Sequence, residues 1–168
     1  MFTNERVLDK LMSILYYLYF KQDMPISQSI SVTTDAALFT LKKSEIYVLL
    51  IQRKNSPFKN HWALPGGFVE DNEIVKTACQ RELKEETGLS IPINTFEFID
   101  YFDNPKRDPR GRTLSFVFGV ILEKPLIVKG SDDANKAEWI NLKKISNLAF
   151  DHFEIIQKAK HKLLDHKI

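Results

Sequence analysis

The sequence contains little glycine, almost no cysteine and no long apolar run. Its 168 residues include six glycines, about half of the roughly 7% typical of globular proteins, so we expect each glycine to mark a position that the backbone requires. The single cysteine, Cys79, excludes a disulfide framework and a cysteine-rich zinc site, and indicates a buried thiol in a reducing compartment. The net charge of +2 is too small to indicate a nucleic-acid partner or an anionic membrane surface.

The remaining composition is that of one folded domain. Hydrophobic residues make up 43% of the chain and charged residues 27%. The most apolar stretch, from Ile14 to Phe20, is far shorter than the roughly 20 residues of a membrane span. Acidic residues interrupt the beginning of the chain, which is unlike a signal peptide. We therefore predict a cytoplasmic protein with no membrane partner.

Apolar residues at three- and four-residue steps predict an amphipathic helix from about Asn4 to Lys21. Tyr16, Tyr17 and Phe20 widen its apolar face beyond what one packing surface usually needs. We interpret these aromatic side chains as a cover for the domain's own core, and the alternative is a contact within a homodimer. Because a polar stretch with a proline follows, residues 1–27 are predicted to form a helical extension and residues 28–168 the main domain.

The main domain is predicted to contain five strands and two helices. Apolar and β-branched runs place strands at about 31–41, 45–52, 95–102, 114–122 and 137–140. Helical periodicity places helices at about 72–87 and 152–165. A hairpin joins the first two strands at 42–44, although no glycine is present there for a tight turn. Because strands and helices alternate irregularly, we predict an α/β sandwich with a mixed sheet.

The helix at 72–87 carries acidic residues on its apolar side. Asp71 or Asn72 is predicted to cap its start, and Gly88 to end it in the left-handed conformation. At about 100° per residue, one apolar stripe contains Ile74, Val75, Ala78 and Cys79. The same stripe continues with Glu82, Glu85 and Glu86. The opposite face is predicted to be solvated and consists of Lys76, Thr77, Gln80, Lys84 and Thr87.

Three carboxylates on a packing face require a cation. Like charges at this spacing repel by a few tenths of a kcal/mol, and partial burial without a partner costs more. Arg81 and Lys84 are alternatives to a metal, but Lys84 points away and one arginine cannot neutralise three acids. Carboxylate oxygens without histidine or cysteine favour Mg²⁺ or Mn²⁺ over zinc.

These residues also carry a family resemblance. The pattern is Gly67, five residues, Glu73, seven residues, Arg81-Glu82-Leu83, one residue, Glu85-Glu86, one residue, Gly88-Leu89. It resembles the Nudix box with every defining position filled, and the resemblance runs from Arg53 and Trp62–Gly66 to about residue 160. It implies a Nudix-type α/β/α sandwich, here preceded by a helix. It also implies hydrolysis of a nucleoside diphosphate linked to another moiety, with Mg²⁺ or Mn²⁺ as the cofactor.

The resemblance implies roles for the box residues. Glu82, Glu85 and Glu86 would hold the metal together with the carbonyl of Gly66. Arg81 would orient a neighbouring carboxylate, and Glu73 would tie the preceding loop to the helix. A loop that turns its carbonyl onto a metal cannot carry Cβ atoms, which gives Gly66 and Gly67 a physical reason.

The general base is left open between two candidates. In some Nudix enzymes it is the glutamate that matches Glu82. In ADP-ribose hydrolases it is often an acid on a late loop, which here spans about 124–137. The Asp132-Asp133 pair on that loop is our preferred base or additional metal ligand, and Glu138 is a further acid there.

One turn-rich segment and one upstream arginine bear on the substrate. In the turn-rich segment 101–112, Arg110 or Arg112 is predicted to bind a phosphate through two N–H donors of its guanidinium group. Tyr101 or Phe102 is predicted to stack on a base. The alternative is an ordinary basic hairpin tip. Arg53, in the upstream part of the resemblance, is a further predicted substrate contact.

Short segments resemble ADP-ribose pyrophosphatases and the Nudix half of bifunctional NMN adenylyltransferase proteins. They are 107–112, 132–139 and 148–152, the last ending in His152, which we interpret as a packing histidine. The implied reaction converts ADP-ribose and water to AMP and ribose 5-phosphate, without a nucleic-acid partner. One alternative is a Nudix hydrolase for a dinucleoside polyphosphate, NADH, a nucleotide sugar or an oxidised nucleoside triphosphate. Another is a non-catalytic sensor with a winged-helix domain, which the complete box and the single helix predicted after residue 150 disfavour.

Overall fold

The computed structural model describes residues 4–22, 28–130 and 134–165. The helices are α1 (Asn4–Gln22), α2 (Val75–Thr87) and α3 (His152–Lys160). The strands are β1 (Ser31–Lys42), β2 (Glu45–Arg53), β3 (Trp62–Ala63), β4 (Gly66–Phe68), β5 (Glu97–Phe102), β6 (Thr113–Leu122) and β7 (Ala134–Asn141). Short 3₁₀ turns occupy Ile93–Thr95 and Leu142–Lys144, and a π-helical turn at His161–Asp165 continues α3.

All seven strands form one mixed sheet. The order along it is β3, β2, β1, β6, β5, while β4 pairs with β1 and β7 pairs with β2. The neighbours β1 and β6 run parallel, and the other pairs are antiparallel. The strand β1 is central because its run of apolar and threonine residues is buried on both faces. The predicted mixed sheet is confirmed.

Helices cover both faces of this sheet. Ala37 and Phe39 of β1 pack with residues of α3 in one core, whereas Ala36 and Leu38 pack with residues of α2 in a second core. This division follows from the alternation of side chains along a strand. The α/β/α sandwich with an N-terminal helix is therefore confirmed.

The predicted hairpin between β1 and β2 forms without glycine. Lys43 has a φ of 52° and Ser44 a φ of 63°, so both turn residues adopt the left-handed conformation that a primed turn requires. Lys42 pairs with Glu45 across it. The ladder of four residue pairs between β1 and β2 holds the strand ends close enough to impose this conformation on ordinary residues.

The start of α2 differs from the prediction. The helix begins at Val75 with Ile74 as its N-cap and no side-chain cap, so capping by Asp71 or Asn72 was wrong. The backbone N–H of Glu73 instead donates to the carbonyl of Glu70 at 3.1 Å, which makes a turn before the helix. This turn places the Glu73 side chain against the helix.

The buried face of α2 also differs from the prediction. Ile74 is 75% exposed, whereas Leu83 and Thr87 are fully buried. Thr87 Oγ1 donates to the Leu83 carbonyl and accepts from the N–H of Leu89, which allows it to lie in the core. Its assignment to the solvated face was therefore wrong, and the packed stripe is rotated toward Leu83.

Tyr16 and Tyr17 of α1 do not cover the domain core. Between Leu8 and Tyr17, where the structure describes the side chains, the large apolar residues are exposed. Tyr16 is 67% exposed and Tyr17 64%. The predicted packing of these two rings on the core was thus wrong, while Phe20 lies outside the described side chains. The homodimer contact stays a prediction.

Smaller differences concern element ends. The strand β5 begins two residues later than predicted, at Glu97, and β7 is longer, at Ala134–Asn141. The strands β3 and β4 were not predicted because runs of two or three residues carry no periodicity. None of the described helices is both long and apolar enough to cross a membrane.

Candidate active site

The short strand β4 brings a glycine loop against both β1 and α2. Gly66 pairs with Asp35 of β1, and Gly67 pairs with Thr34. A Cβ on Gly66 would collide with the β1 backbone, and a Cβ on Gly67 would lie 2.5 Å from the carboxylate carbon of Glu82. Both positions therefore require glycine because of close approach.

Arg81 joins the loop to three acids of the box. Its Nε and Nη2 donate to the two carboxylate oxygens of Glu73 at 3.0 and 2.9 Å. Its Nη1 donates to Glu82 at 2.8 Å and to Glu85 at 3.1 Å, and Nη2 also reaches the carbonyl of Phe68. Hydrogen bonds to Glu73 raise the pKa of Arg81, and the bond from Arg81 lowers the pKa of Glu73. Arg81 is thus a fixed cation that orients the box carboxylates.

Glu86 is the box acid with the least compensation. Its Oε2 accepts from the backbone N–H of Gly66 at 2.9 Å, and no salt bridge joins it to a described cation. Burial raises its pKa to about 8, and the nearby charges of Glu82 and Asp35 add to this rise. Burial also raises the pKa of Glu82, against the opposing hydrogen bond from Arg81. The site therefore holds two partly buried carboxylates that lack full neutralisation.

These carboxylates fit a hard divalent cation. Their donors are oxygens, as Mg²⁺ and Mn²⁺ prefer, and Gly67 leaves a cradle that a Cβ would fill beside Glu82. In the described part of the chain no group of three acidic, histidine or cysteine side chains is already gathered around one point. Glu85, whose side chain is 58% exposed, lies on the rim bound to Arg81. The third predicted carboxylate ligand would have to turn from Arg81 toward the site.

A polar cavity of about 100 Å³ opens beside the glycine loop, on the α3 side of β1. Two guanidinium groups flank it. That of Arg110 lies 5.0 Å from the ring centre of Phe68 and 5.8 Å from that of Phe150, and that of Arg53 lies 4.9 Å from Phe150. Asp108 pairs with Arg110 through two oxygens, whereas no described carboxylate forms a salt bridge with Arg53. Burial and then the charge of Arg110 lower the pKa of Arg53.

The inner wall of the cavity is a buried ionic network. Arg107 donates to both oxygens of Asp151 at 2.8 Å, and one of its nitrogens lies 3.7 Å from Asp35. Asp35 also accepts from the Ser115 hydroxyl. Burial opposes the charge of Arg107, but the hydrogen bonds to Asp151 and the charges of the nearby aspartates raise the pKa of Arg107. This network ties the loop at 103–112 to the beginning of α3.

His152 connects that network to the glycine loop. Its Nδ1 accepts from the backbone N–H of Leu64 at 2.8 Å, so the proton of the neutral ring is on Nε2. Nε2 lies 3.5 Å from Asp35. Burial lowers the pKa of His152 and favours this neutral form. The ring therefore holds the chain two residues before Gly66.

The structure brings some of the predicted substrate residues together and not others. Arg53 and Arg110 line the cavity, but Tyr101, Phe102 and Arg112 do not. Tyr101 is 55% exposed on β5, and Phe102 packs against the core on the α3 side. Arg112 binds Asp103 instead. Asp132 and Asp133 lie outside the described residues, and Gly88 ends α2 with a φ of 74°.

Several residues of the cavity were not predicted from the sequence, namely Thr33, Asp35, Arg107, Asp108, Phe68 and Phe150. A usable signal was present for Asp35, an acid within an otherwise apolar and threonine-rich strand. Arg107 and Asp108 lie in segment 107–112, which carries part of the resemblance, but no role was predicted for them because Asp-Pro and nearby charges are also ordinary turn chemistry. The contact that holds Arg107 comes from Asp151 at the start of α3, 44 residues later in the chain.

Two known proteins share a large part of this chain's sequence. The ADP-ribose pyrophosphatase of Methanocaldococcus jannaschii is 47% identical over 111 residues, which cover 66% of this chain and 63% of that protein. The ADPR responsive transcriptional repressor NtrR of Acinetobacter baylyi is 34% identical over 145 residues, which cover 84% of this chain and 56% of that protein. The chain thus spans less than two thirds of either relative's length.

A solved structure shows the same fold. The NUDIX domain of Shewanella oneidensis NrtR, solved in complex with ADP ribose, superposes with a TM-score of 0.75 at 27% identity, over 87% of this chain and 97% of that one. The NUDIX domain family matches residues 31–159, which include the glycine loop, the helix α2 with its carboxylates and the cavity beside the loop. With every box position filled and its acids gathered by Arg81, the chain belongs to the NUDIX domain family.

Proposed function

We propose that this chain is a metal-dependent pyrophosphohydrolase whose substrate is ADP-ribose. The observation that carries the proposal is the pairing of two partly buried box carboxylates with an adjacent cavity that two guanidinium groups flank. The pyrophosphatase from Methanocaldococcus jannaschii, 47% identical over the matched residues, supports ADP-ribose as the substrate. The expected products are AMP and ribose 5-phosphate.

Arg53 and Arg110 are suited to hold the diphosphate. Two neighbouring guanidinium groups repel each other, and this repulsion adds to the effect of burial in lowering the pKa of Arg53. An anion between them relieves this repulsion, and the planar fork of arginine matches phosphate oxygens. Stacking on Phe150 and Phe68 restricts both groups before substrate binds, which reduces the entropy lost on binding.

Glu82 and Glu86, with the carbonyl of Gly66, would hold the metal, and Glu85 would join them from the rim. A bound Mg²⁺ or Mn²⁺ would neutralise the phosphate oxygens and lower the pKa of water. Arg81 keeps the Glu82 carboxylate in place through a 2.8 Å hydrogen bond. Preorganised carboxylates of this kind spare the enzyme reorganisation during the reaction.

The reaction requires attack of a water oxygen on phosphorus, cleavage of the bond from phosphorus to the bridging oxygen, and transfer of the water proton to a base. Glu82 is one candidate for that base, and the Asp132-Asp133 pair is the other. The variants Glu82→Gln and Asp132→Asn/Asp133→Asn separate them at saturating metal. The base is the site whose variant loses turnover on the order of 100-fold or more while it binds Mn²⁺ like the wild type, because Glu82 is also a proposed metal ligand. If Glu82→Gln retains most of the turnover, Glu82 is not essential.

A substrate panel tests the proposal. The protein is incubated with Mg²⁺ and ADP-ribose, NADH, FAD, diadenosine polyphosphates or nucleoside triphosphates, and the phosphomonoester released is measured after phosphatase treatment. We expect the highest kcat/KM with ADP-ribose. A preference for another compound would move the proposal to that substrate, and an absence of turnover would overturn it.

The similarity to a repressor favours one second candidate, an ADP-ribose-responsive regulator. This function requires DNA binding that depends on salt, because phosphate contacts release counterions. A gel-shift titration with the gene's own upstream region, with and without ADP-ribose, distinguishes the two candidates. The hydrolase proposal predicts no specific shift at physiological salt.

A further inference from the structure

Two threonine hydroxyls on β1 are buried without a hydrogen-bond partner. The two hydroxyls belong to Thr33 and Thr40. Among the residues that the structure describes, no other buried side-chain polar atom lacks a hydrogen-bond partner. Thr33 is 8% exposed and Thr40 1%. An unpaired buried hydroxyl is destabilising, so each requires an explanation. Their neighbour Thr34 shows the ordinary solution, because its hydroxyl donates to the Phe116 carbonyl at 3.0 Å.

The two threonines differ in where they lie. Thr33 lines the cavity beside the glycine loop, together with Asp35 from the same face of the strand. Thr40 lies near the other end of β1, opposite Tyr47 and Leu122, and does not line this cavity. The Thr33 hydroxyl is itself enclosed, but because Thr33 lines the cavity, rotation about its Cα–Cβ bond can present the hydroxyl to a ligand there, whereas Thr40 has no access to this cavity.

The wall around Thr33 has the chemistry of a site for hydroxyl groups. A threonine hydroxyl both donates and accepts, and the Asp35 carboxylate, with about four acceptor positions, has room for a further donor beside Ser115, Arg107 and His152. A phosphate is unsuited to this wall, because Asp35 would repel it. The guanidinium groups of Arg53 and Arg110, which suit phosphate, flank the same cavity.

We infer that Thr33 and Asp35 form a subsite that binds the hydroxyl groups of the sugar attached to the distal phosphate of the substrate. The inference rests on the proposed function, since it takes the diphosphate to lie between this subsite and the box carboxylates. Thr33 is a specificity residue in this arrangement, because its buried hydroxyl gains a hydrogen-bond partner only when a sugar is bound.

The test compares two substrates that differ only in the distal group. ADP-ribose carries the sugar, whereas the propyl ester of ADP keeps adenosine and diphosphate and has no distal hydroxyl. The variant Thr33→Val removes the hydroxyl at constant shape, and Thr33→Ser restores it. Thr40→Val is the matched control, because it removes the other unpaired hydroxyl of the same strand.

We expect Thr33→Val to lower the ratio of kcat/KM for ADP-ribose to that for the propyl ester about tenfold, the effect of one lost hydrogen bond. Thr33→Ser should restore the ratio and Thr40→Val should leave it unchanged. Calorimetric titration of the three variants and the wild type with both compounds gives the same comparison as Kd values without requiring turnover.

Each outcome separates the subsite from the proposed function. An unchanged ratio in Thr33→Val with an active wild type overturns the subsite alone. An equal loss for both substrates assigns Thr33 to the part that they share, adenosine and diphosphate, and also overturns the subsite. A wild type that binds ADP-ribose through Thr33 but does not hydrolyse it overturns the proposed function and supports the subsite. A wild type that binds neither compound overturns both.

Discussion

Replacing Gly67 by alanine should disable the carboxylate site while leaving the fold intact. The added Cβ would lie 2.5 Å from Cδ and Oε1 of Glu82 and 2.7 Å from Oε2, whereas ordinary contact begins at 3.4 Å. The Glu82 carboxylate must therefore move by about 1 Å, and a displacement of that size can reduce a rate on the order of 100-fold. The φ of Gly67 lies outside the left-handed region, so alanine adds no backbone strain.

Gly88→Ala is the matched control. Gly88 ends α2 with a φ of 74°, and a Cβ added to it would meet no atom within 4 Å. Alanine in that conformation should cost about 1 kcal/mol of stability, with no displacement of Glu82. We expect Gly88→Ala to unfold at lower temperature with nearly unchanged kcat/KM, and Gly67→Ala to show the opposite pattern.

The assays are thermal unfolding, kcat/KM for ADP-ribose with Mg²⁺, and binding of Mn²⁺ followed by electron paramagnetic resonance. Gly67→Ala should weaken Mn²⁺ binding as well as turnover, because the shifted group is a proposed metal ligand. If Gly67→Ala binds Mn²⁺ and turns over ADP-ribose like the wild type, Glu82 does not depend on this close approach. The proposed role of the cradle is then refuted.

Three further predictions concern the buried charges. Glu86→Gln keeps an oxygen that accepts from the Gly66 N–H, so we expect thermal stability to be kept or increased. Turnover should fall on the order of 100-fold. A clear loss of stability would contradict this prediction. Arg107→Ala should destabilise the fold by about 3 kcal/mol in urea unfolding, since it leaves buried carboxylates unpaired. Lys143→Ala, which breaks an exposed ion pair, should change stability by less than about 1 kcal/mol. Burial lowers the pKa of His152 in the folded state, so below about pH 6.5 the unfolded chain binds a proton there that the folded protein does not. The free energy of unfolding should therefore fall as the pH drops below that value, by at most about 1.4 kcal/mol per pH unit. His152→Asn should reduce that slope, and an unchanged slope would exclude the ring as its source; the charged groups around it are Asp35, Asp151, Arg107 and Arg53.

The helix α2 could be predicted from the sequence because the pattern that identifies it lies within one short segment. The spacing placed Glu82 and Glu86 on a partly buried face, and Gly88 marked the end of the helix. Glu85, on the same predicted stripe, is exposed on the rim, so its placement on the packing face was wrong. The details of that face were less accessible. Thr87 is buried only because its hydroxyl bonds to Leu83 within its own helix, which hydrophobic periodicity does not register.

The cavity wall could not be predicted in the same way. Asp35, Arg107 and His152 come from the first strand, a loop and the last helix, and each lies among residues with an ordinary structural explanation. Their contacts depend on the folded sheet, which brings distant segments together. The helix α1 was predicted correctly, but the packing of Tyr16 and Tyr17 was not, because an amphipathic pattern does not identify the surface that its apolar face meets.

The most direct test of the account follows ADP-ribose in water enriched with oxygen-18. With Mg²⁺ present, mass spectrometry should detect AMP and ribose 5-phosphate, with one solvent oxygen in one of the two products, and Glu86→Gln should nearly abolish both. A wild type that releases neither product, or that releases them equally well after metal removal by a chelator, would contradict a metal-dependent hydrolase built on the box carboxylates.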